Sequence, residues 1–247
     1  MRDTRILMGM PITVEIVGAR SADTINNVFD YFNQVDERFS TYKDKSEISL
    51  FNRREITPQQ LSPEMKDVLR LAARTRDQTN GYFEIRKADG TLDPSGIVKG
   101  WAIQKAAKMI RTAGFENFYV EAGGDIQSAG INEEGREWRV GIRSPFNSDD
   151  IIKVVEPRGQ GMATSGTYVR GQHIYNPHAP EKPIEDIVSL SVIGPDILEA
   201  DRFATAAFAM GESGIYFIEN LAGFEAYMVN AKGIATQTTG FGAYVLS

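Results

Sequence analysis

Four clusters in the sequence set charged or hydroxyl side chains beside glycine at the end of an expected strand or helix. In the first, Asp93-Pro94-Ser95-Gly96-Ile97-Val98-Lys99-Gly100, a carboxylate precedes a glycine turn that opens a helix carrying Lys99. The free N–H groups and positive dipole end of a helix start favour an anion such as phosphate. Lys99 would add a full charge there, although a turn carboxylate and a solvated lysine account for the same residues. The spacing is not that of a phosphate-binding Walker loop. In the second cluster, Glu121-Ala122-Gly123-Gly124-Asp125, two glycines at a strand end let backbone approach a ligand closely. Asp125 would accept from a ring N–H or hydroxyl, and a plain hairpin turn is the alternative. The G-x-G-x-x-G spacing of a Rossmann site is absent.

The third cluster crowds hydroxyls around Gly166 and then brings His173 between a turn and Pro177. An imidazole with an ordinary pKa near ~6.5 suits a general base, although a lone histidine is more often a surface or core-satisfied residue than a catalyst. His178, before Ala179-Pro180, reads as loop. The fourth, Glu199-Ala200-Asp201-Arg202-Phe203-Ala204-Thr205-Ala206, places Asp201 and Thr205 four apart, on one face of a helix. A carboxylate and a hydroxyl together suit Mg²⁺, a hard cation that takes oxygen ligands. A surface carboxylate and a threonine bonded back to its own helix are the alternative. Phe203, Ala204, Ala206 and Ala207 make this helix apolar nearly all round, and burying Asp201 without a partner is costly. That favours a metal-bound or hydrogen-bonded carboxylate.

The elements that must position these clusters alternate between the two periods, which predicts a mixed α/β or α+β fold. Strands are expected at Met10–Val17, Phe83–Ile85, Phe118–Glu121, Ile126–Ala129, Trp138–Ile142, Lys153–Val155, Met162–Thr164, Val188–Ile193 and Ala226–Val229. Helices are expected from Ser21–Asp23 to Arg38, Ser46 to Phe51, Pro63 to Thr79, Ser95 to Ala113, Leu198 to Met210, and Ser213 to Leu221. The first shows Ile25, Val28, Phe29, Phe32 and Val35 at one-face spacing. No repeat or linker interrupts the chain, so residues 1–247 are expected to form one compact domain with a strand-rich centre and flanking helices.

Composition narrows the chemistry. The chain has 247 residues, no cysteine and two histidines, which excludes thiolate catalysis, Cys-ligated metals and disulfides. A net charge of −6 argues against attachment to nucleic acid or anionic lipid by bulk charge. No apolar run approaches the ~20 residues of a membrane span. The cytoplasm is expected if the chain is full length, and the periplasm or a membrane anchor if an N-terminal segment was removed.

In this order, the motifs resemble those of the FAD:protein FMN transferase (ApbE-type) family along nearly the whole chain. Besides the four clusters, Met8-Gly9, Phe39-Ser40-Thr41-Tyr42, Ser46-Glu47-Ile48-Ser49-Leu50-Phe51-Asn52 and Gly81-Tyr82-Phe83-Glu84-Ile85 are similar to family segments. The resemblance implies an α+β, T-fold-like domain that binds FAD and Mg²⁺. It also implies transfer of FMN to a threonine of an acceptor flavoprotein, with release of AMP. Carried over by position, Asp201, Thr205 and the main-chain oxygens of Gly96 and Ala204 would hold Mg²⁺. Met8, Tyr42, Tyr82, Phe83, Glu84, Asp93, Lys99, Gly123, Gly124, Asp125 and Ile174 would form the FAD site, and His173 would be the base. An FAD pyrophosphatase and a non-catalytic flavin-binding module are the competing readings. Only Arg86 to Leu92 separate two of the motifs, where the family carries a longer insert.

Overall fold

The computed structural model describes residues 1–147, 149–166 and 174–246. Its frame is an eight-stranded antiparallel sheet in the order β1-β2-β3-β4-β7-β8-β9-β10. The strands are β1 (Arg2–Leu7), β2 (Met10–Ile16), β3 (Phe118–Ala122), β4 (Asp125–Ala129), β7 (Gly161–Gly166), β8 (Ile187–Gly194), β9 (Glu225–Asn230) and β10 (Ala235–Gln237). A separate hairpin joins β5 (Val140–Arg143) to β6 (Ile151–Val155). The helices are α1 (Asp23–Phe39), α2 (Glu47–Asn52), α3 (Pro63–Gln78), α4 (Ser95–Thr112), α5 (Ile197–Ala209) and α6 (Gly214–Glu219).

Strand alternation sends the two sets of side chains to opposite faces. Leu190 and Val192 of β8 join α1, α4 and α5 in the main core. Ile193, with Ile126, Met162, Tyr227 and Val229, faces the other way, against Val140, Ile142, Val155 and Phe241. The β5–β6 hairpin therefore covers the face that the helices leave open.

Local chemistry sets the helix ends. Ser46, Ser62 and Asp196 accept the N–H groups of Ser49, Met65 and Glu199 at the starts of α2, α3 and α5. The start of α1 differs from the expectation: its cap, Ala22, has no side-chain bond, and Ser21 Oγ accepts Asp23 N at 3.1 Å instead. Asn80 and Gly81 close α3 at positive φ, Gly81 N donating to Arg76 O at 2.8 Å.

One expectation needs correction, and two strands lie outside those expected. Phe83–Ile85 is not a strand: Phe83 N donates to Thr79 Oγ1 at 3.1 Å, and the nearby ladder contact among the described residues is the bridge Arg86↔Leu92. β1 is absent from the expected strands because Arg2, Asp3 and Arg5 hide its alternation at a solvated sheet edge. β10 has no buried position, so its pattern carries no signal either.

Two close approaches fix the centre. Helices α4 and α5 meet at Gly96 and Gly100, which lie on one face of α4. A Cβ at Gly100 would stand 2.7 Å from Asp201 Cβ and 2.8 Å from Ile197 O. Strands β4 and β7 share only the pairs Ile126↔Met162 and Gln127↔Gly161, after which they diverge. Gly100→Ala is expected to lower stability by about 1–3 kcal/mol through overpacking, read as a lower urea midpoint with an unchanged m-value.

Candidate active site

Where β4 and β7 part, a cleft of about 190 Å³ opens. This is below the range of about 300–1,000 Å³ typical of small-molecule pockets, so it would enclose only part of a dinucleotide. Its floor is a buried charge cluster. Lys99 Nζ lies 2.6 Å from Asp125 Oδ2, with the Asp125 side chain fully buried. Asp125 Oδ1 accepts Thr164 N at 3.0 Å, taking the place of a backbone acceptor where β7 leaves β4. Asp201 Oδ2 accepts Gly100 N at 2.7 Å. Burial holds the Asp201 carboxyl well above the usual range; Lys99 opposes the rise and the Asp125 carboxylate reinforces it.

Of the residues expected at the site, Tyr82, Phe83, Glu84, Asp93, Gly96, Lys99, Gly123, Gly124, Ile174, Asp201 and Thr205 line this one cleft. Gly123 and Gly124 are also the two-residue turn between β3 and β4, both at positive φ, so the hairpin and ligand-approach readings describe the same residues. Asp93 is both a turn residue and part of the lining: it accepts Ser95 N at 3.1 Å and pairs with Lys87 at 2.8 Å. Burial pushes its carboxyl up, but the bonds from Lys87 and Ser95 outweigh this and hold it below its ordinary value. Thr205 Oγ1 donates to Gly96 O at 3.3 Å, not to its own helix, which sets two oxygens side by side across the α4–α5 contact.

Other expected residues are not in the lining. Asp125 lies beneath it, facing Lys99 and Thr164. Ala204 is buried within α5. Met8 stands at φ 53° in the β1–β2 turn, at the same end of the sheet as Gly123, and packs against the main core. Tyr42 is 97% exposed, close enough to Lys87 to act on its charge. His173 lies outside the described residues.

Several cleft residues carried no motif signal. Lys87 and Tyr175 line it, as do Val140 to Arg143 of β5, whose alternation announces a strand and nothing more. His178, read as loop, braces the wall: its ring meets Tyr82 edge-on at 4.6 Å, and its Nε2 is 2.9 Å from Asn80 O. Tyr175 OH donates to Arg86 O at 3.3 Å, so residues 174–178 are tied to the Tyr82–Arg86 wall at both ends.

The arrangement supplies oxygen donors from Asp201, Thr205 and Gly96 on one wall and Lys99 beside them, as a divalent cation and a phosphate require. The described residues hold no cluster of three His, Cys, Asp or Glu, so a cation here would rely on hydroxyl and carbonyl oxygens as well. Such donors fit Mg²⁺ better than softer metals. Asp125→Ala would remove the carboxylate that faces Lys99 and leave Thr164 N without its acceptor. A loss of about 1–3 kcal/mol is expected in urea unfolding, and Asp125→Asn, which keeps the acceptor, should lose less.

The model of the ApbE family matches residues 8–89 and 84–228. The FAD:protein FMN transferase of Salmonella typhimurium is 25% identical over 296 aligned residues, covering 94% of this chain and 84% of that protein. That of Escherichia coli K12 is 30% identical over 167 residues, 64% of this chain and 47% of the relative. In such matches the chain spans about half the length of its curated relatives. Among solved structures, the flavin transferase ApbE from Vibrio cholerae superposes with a TM-score of 0.85 at 23% identity, over 99% of this chain and 98% of that one. The apbe protein of Thermotoga maritima gives 0.85 at 19% identity, over 100% and 99%. At these identities the structural match is one of fold, an α+β domain built on a large antiparallel sheet. The chain belongs to the ApbE family.

Proposed function

We propose that the protein is a Mg²⁺-dependent FAD:protein FMN transferase that moves FMN from FAD to a threonine of an acceptor flavoprotein and releases AMP. One observation carries the reading: Asp201, Thr205 and Gly96 gather oxygen donors on a cleft wall that also presents Lys99. The activity named for the relatives supports it. Asp201, Thr205 and the main-chain oxygens of Gly96 and Ala204 would hold the metal. When bound, such an ion would neutralise the substrate's diphosphate and the charge that grows on departing AMP.

The chain's own residues would do the rest. Tyr82 and Phe83 offer ring surface to the flavin or adenine, and Gly123 and Gly124 let backbone come close. The threonine hydroxyl would attack the FMN-side phosphorus, breaking the phosphorus–oxygen bond to AMP. Its proton would pass to His173. Catalysis of this type is positioning and electrostatics.

The test is to incubate the chain with FAD, MgCl₂ and candidate acceptor proteins and to weigh the acceptors. An acceptor that gains the mass of FMN, only when both FAD and Mg²⁺ are present, is the expected outcome. FMN and AMP released with no acceptor gain would make it a hydrolase, and FAD recovered intact would make it a binding module. Asp201→Asn keeps an acceptor for Gly100 N and should cost about 10²-fold or more in transfer, with little change in thermal midpoint.

A further inference from the structure

Residues 85–93 form a small hairpin at the cleft. Asp93 N donates to Ile85 O at 2.7 Å and Lys87 N to Thr91 O at 2.8 Å, one on each side of the bridge Arg86↔Leu92. Arg86 and Leu92 are therefore a non-hydrogen-bonded pair of an antiparallel ladder, and their own N–H and C=O groups point out of the hairpin. Side chains alternate along each strand, so Ile85, Lys87 and Asp93 share a face. All three line the cleft, whereas Leu92 is buried in the main core.

One side chain takes both outward groups of Leu92. Asn52, the last residue of α2, donates from Nδ2 to Leu92 O at 2.9 Å and accepts Leu92 N on Oδ1 at 2.8 Å. A neighbouring strand would exchange the same two bonds, and a carboxamide is the side-chain group that carries a neutral donor and acceptor side by side. On the opposite edge, Arg86 O accepts Tyr175 OH. The other end of α2 is anchored near a further expected site residue: Ser46 Oγ donates to Ser40 O at 2.6 Å, and Ser40 Oγ accepts Tyr42 N at 3.3 Å. Residues 46–52 are thus a strut between the turn that carries Tyr42 and the hairpin that carries Lys87 and Asp93.

We propose that Asn52 is a positioning residue for FAD: its carboxamide fixes Leu92 and thereby sets Asp93 and Lys87 on the face that meets the bound dinucleotide. Only Pro94 and Ser95 separate Asp93 from Gly96, whose carbonyl belongs to the oxygen-donor wall, so the hairpin and that wall are neighbours in the chain as well as in the cleft. Lys87 and Asp93 are paired with each other and bring little net charge. What they offer a ligand is a donor and an acceptor for neutral groups, such as the hydroxyls of FAD. The inference rests on the transferase reading for the identity of the ligand.

The test uses the full chain with FAD and MgCl₂, reading FAD affinity by flavin fluorescence and transfer by acceptor mass. Asn52→Asp keeps an acceptor for Leu92 N and leaves Leu92 O without its donor. It is expected to raise the Kd and the KM for FAD about tenfold, while kcat changes by less than about twofold. A merely structural role would lower kcat through the folded fraction and leave KM where it was. In an Asp93→Ala background, Asn52→Asp should weaken FAD binding by less than about a further twofold, because the group it positions is gone. Should Asn52→Asp fail to fold, Asn52→Ser, which leaves room for water at Leu92, takes its place with the same expectation. Unchanged FAD affinity and KM, a loss in kcat alone, or full additivity with Asp93→Ala overturns the proposal. Weaker FAD binding by Asn52→Asp, with no transfer to any acceptor even by the unaltered chain, keeps the role of Asn52 and removes the transferase reading. Transfer with unaltered FAD affinity does the reverse, and an unaltered chain that does not bind FAD overturns both.

Discussion

The Asp125 carboxylate is the interaction on which the site depends. One oxygen accepts Thr164 N at the point where β7 leaves β4, and the other faces Lys99 of α4 at 2.6 Å. Without it the divergence of the two strands would leave a buried N–H unpaired, which costs as much as a lost hydrogen bond or more. The gap that admits the cleft and the carboxylate that makes the gap tolerable are thus one feature. The same carboxylate raises the Asp201 carboxyl of α5, so sheet, α4 and α5 meet in a single electrostatic unit.

That unit holds because the helices come very close. Gly100 presents its N–H directly to Asp201, and a methyl group there would collide with Asp201 Cβ. Farther along α5, Arg202 is buried but fully engaged. It bonds Glu199, Thr75 at 3.1 Å and Gln78 at 2.6 Å, and its guanidinium lies 3.9 Å from the Phe203 ring centre. Arg202 therefore ties α5 to α3, and Asp201, its neighbour in the chain, lines the cleft. The carboxylates of one short motif have separate tasks, one structural and one at the site.

Much of this was legible in the sequence because it is local. The 3.6-residue spacing of α1, Ser46 at the start of α2 and Pro63 at the start of α3 each depend on a few neighbouring residues. The Asp201–Thr205 pair shared a face for the same reason. What was not legible depends on distant partners. No spacing rule connects Lys99 to Asp125, or Thr205 Oγ1 to Gly96 O, since those contacts exist only once β4 and α5 pack on α4. β1 and β10 were invisible because edge strands in solvent need no apolar alternation. His178 looked like loop because its partners, Asn80 and Tyr82, are almost a hundred residues away.

Charge balance in the cleft bears on what it can bind. The chain is net negative, so a phosphate-bearing ligand gains nothing from the protein's overall field. Two of the lysines that line the cleft each face a carboxylate, Lys87 with Asp93 at 2.8 Å and Lys99 with Asp125 at 2.6 Å. Each pair is close to neutral at the distance of a ligand. Asp201, buried beside them, adds negative charge whenever it is ionised. These two lysines alone would offer a dianionic diphosphate little net attraction, and Arg143 is a further cation in the lining. A divalent cation on the Asp201–Thr205–Gly96 wall would reverse that balance, turning the buried carboxylate from a repulsive group into a ligand. Metal binding and phosphate binding at this wall would thus favour each other.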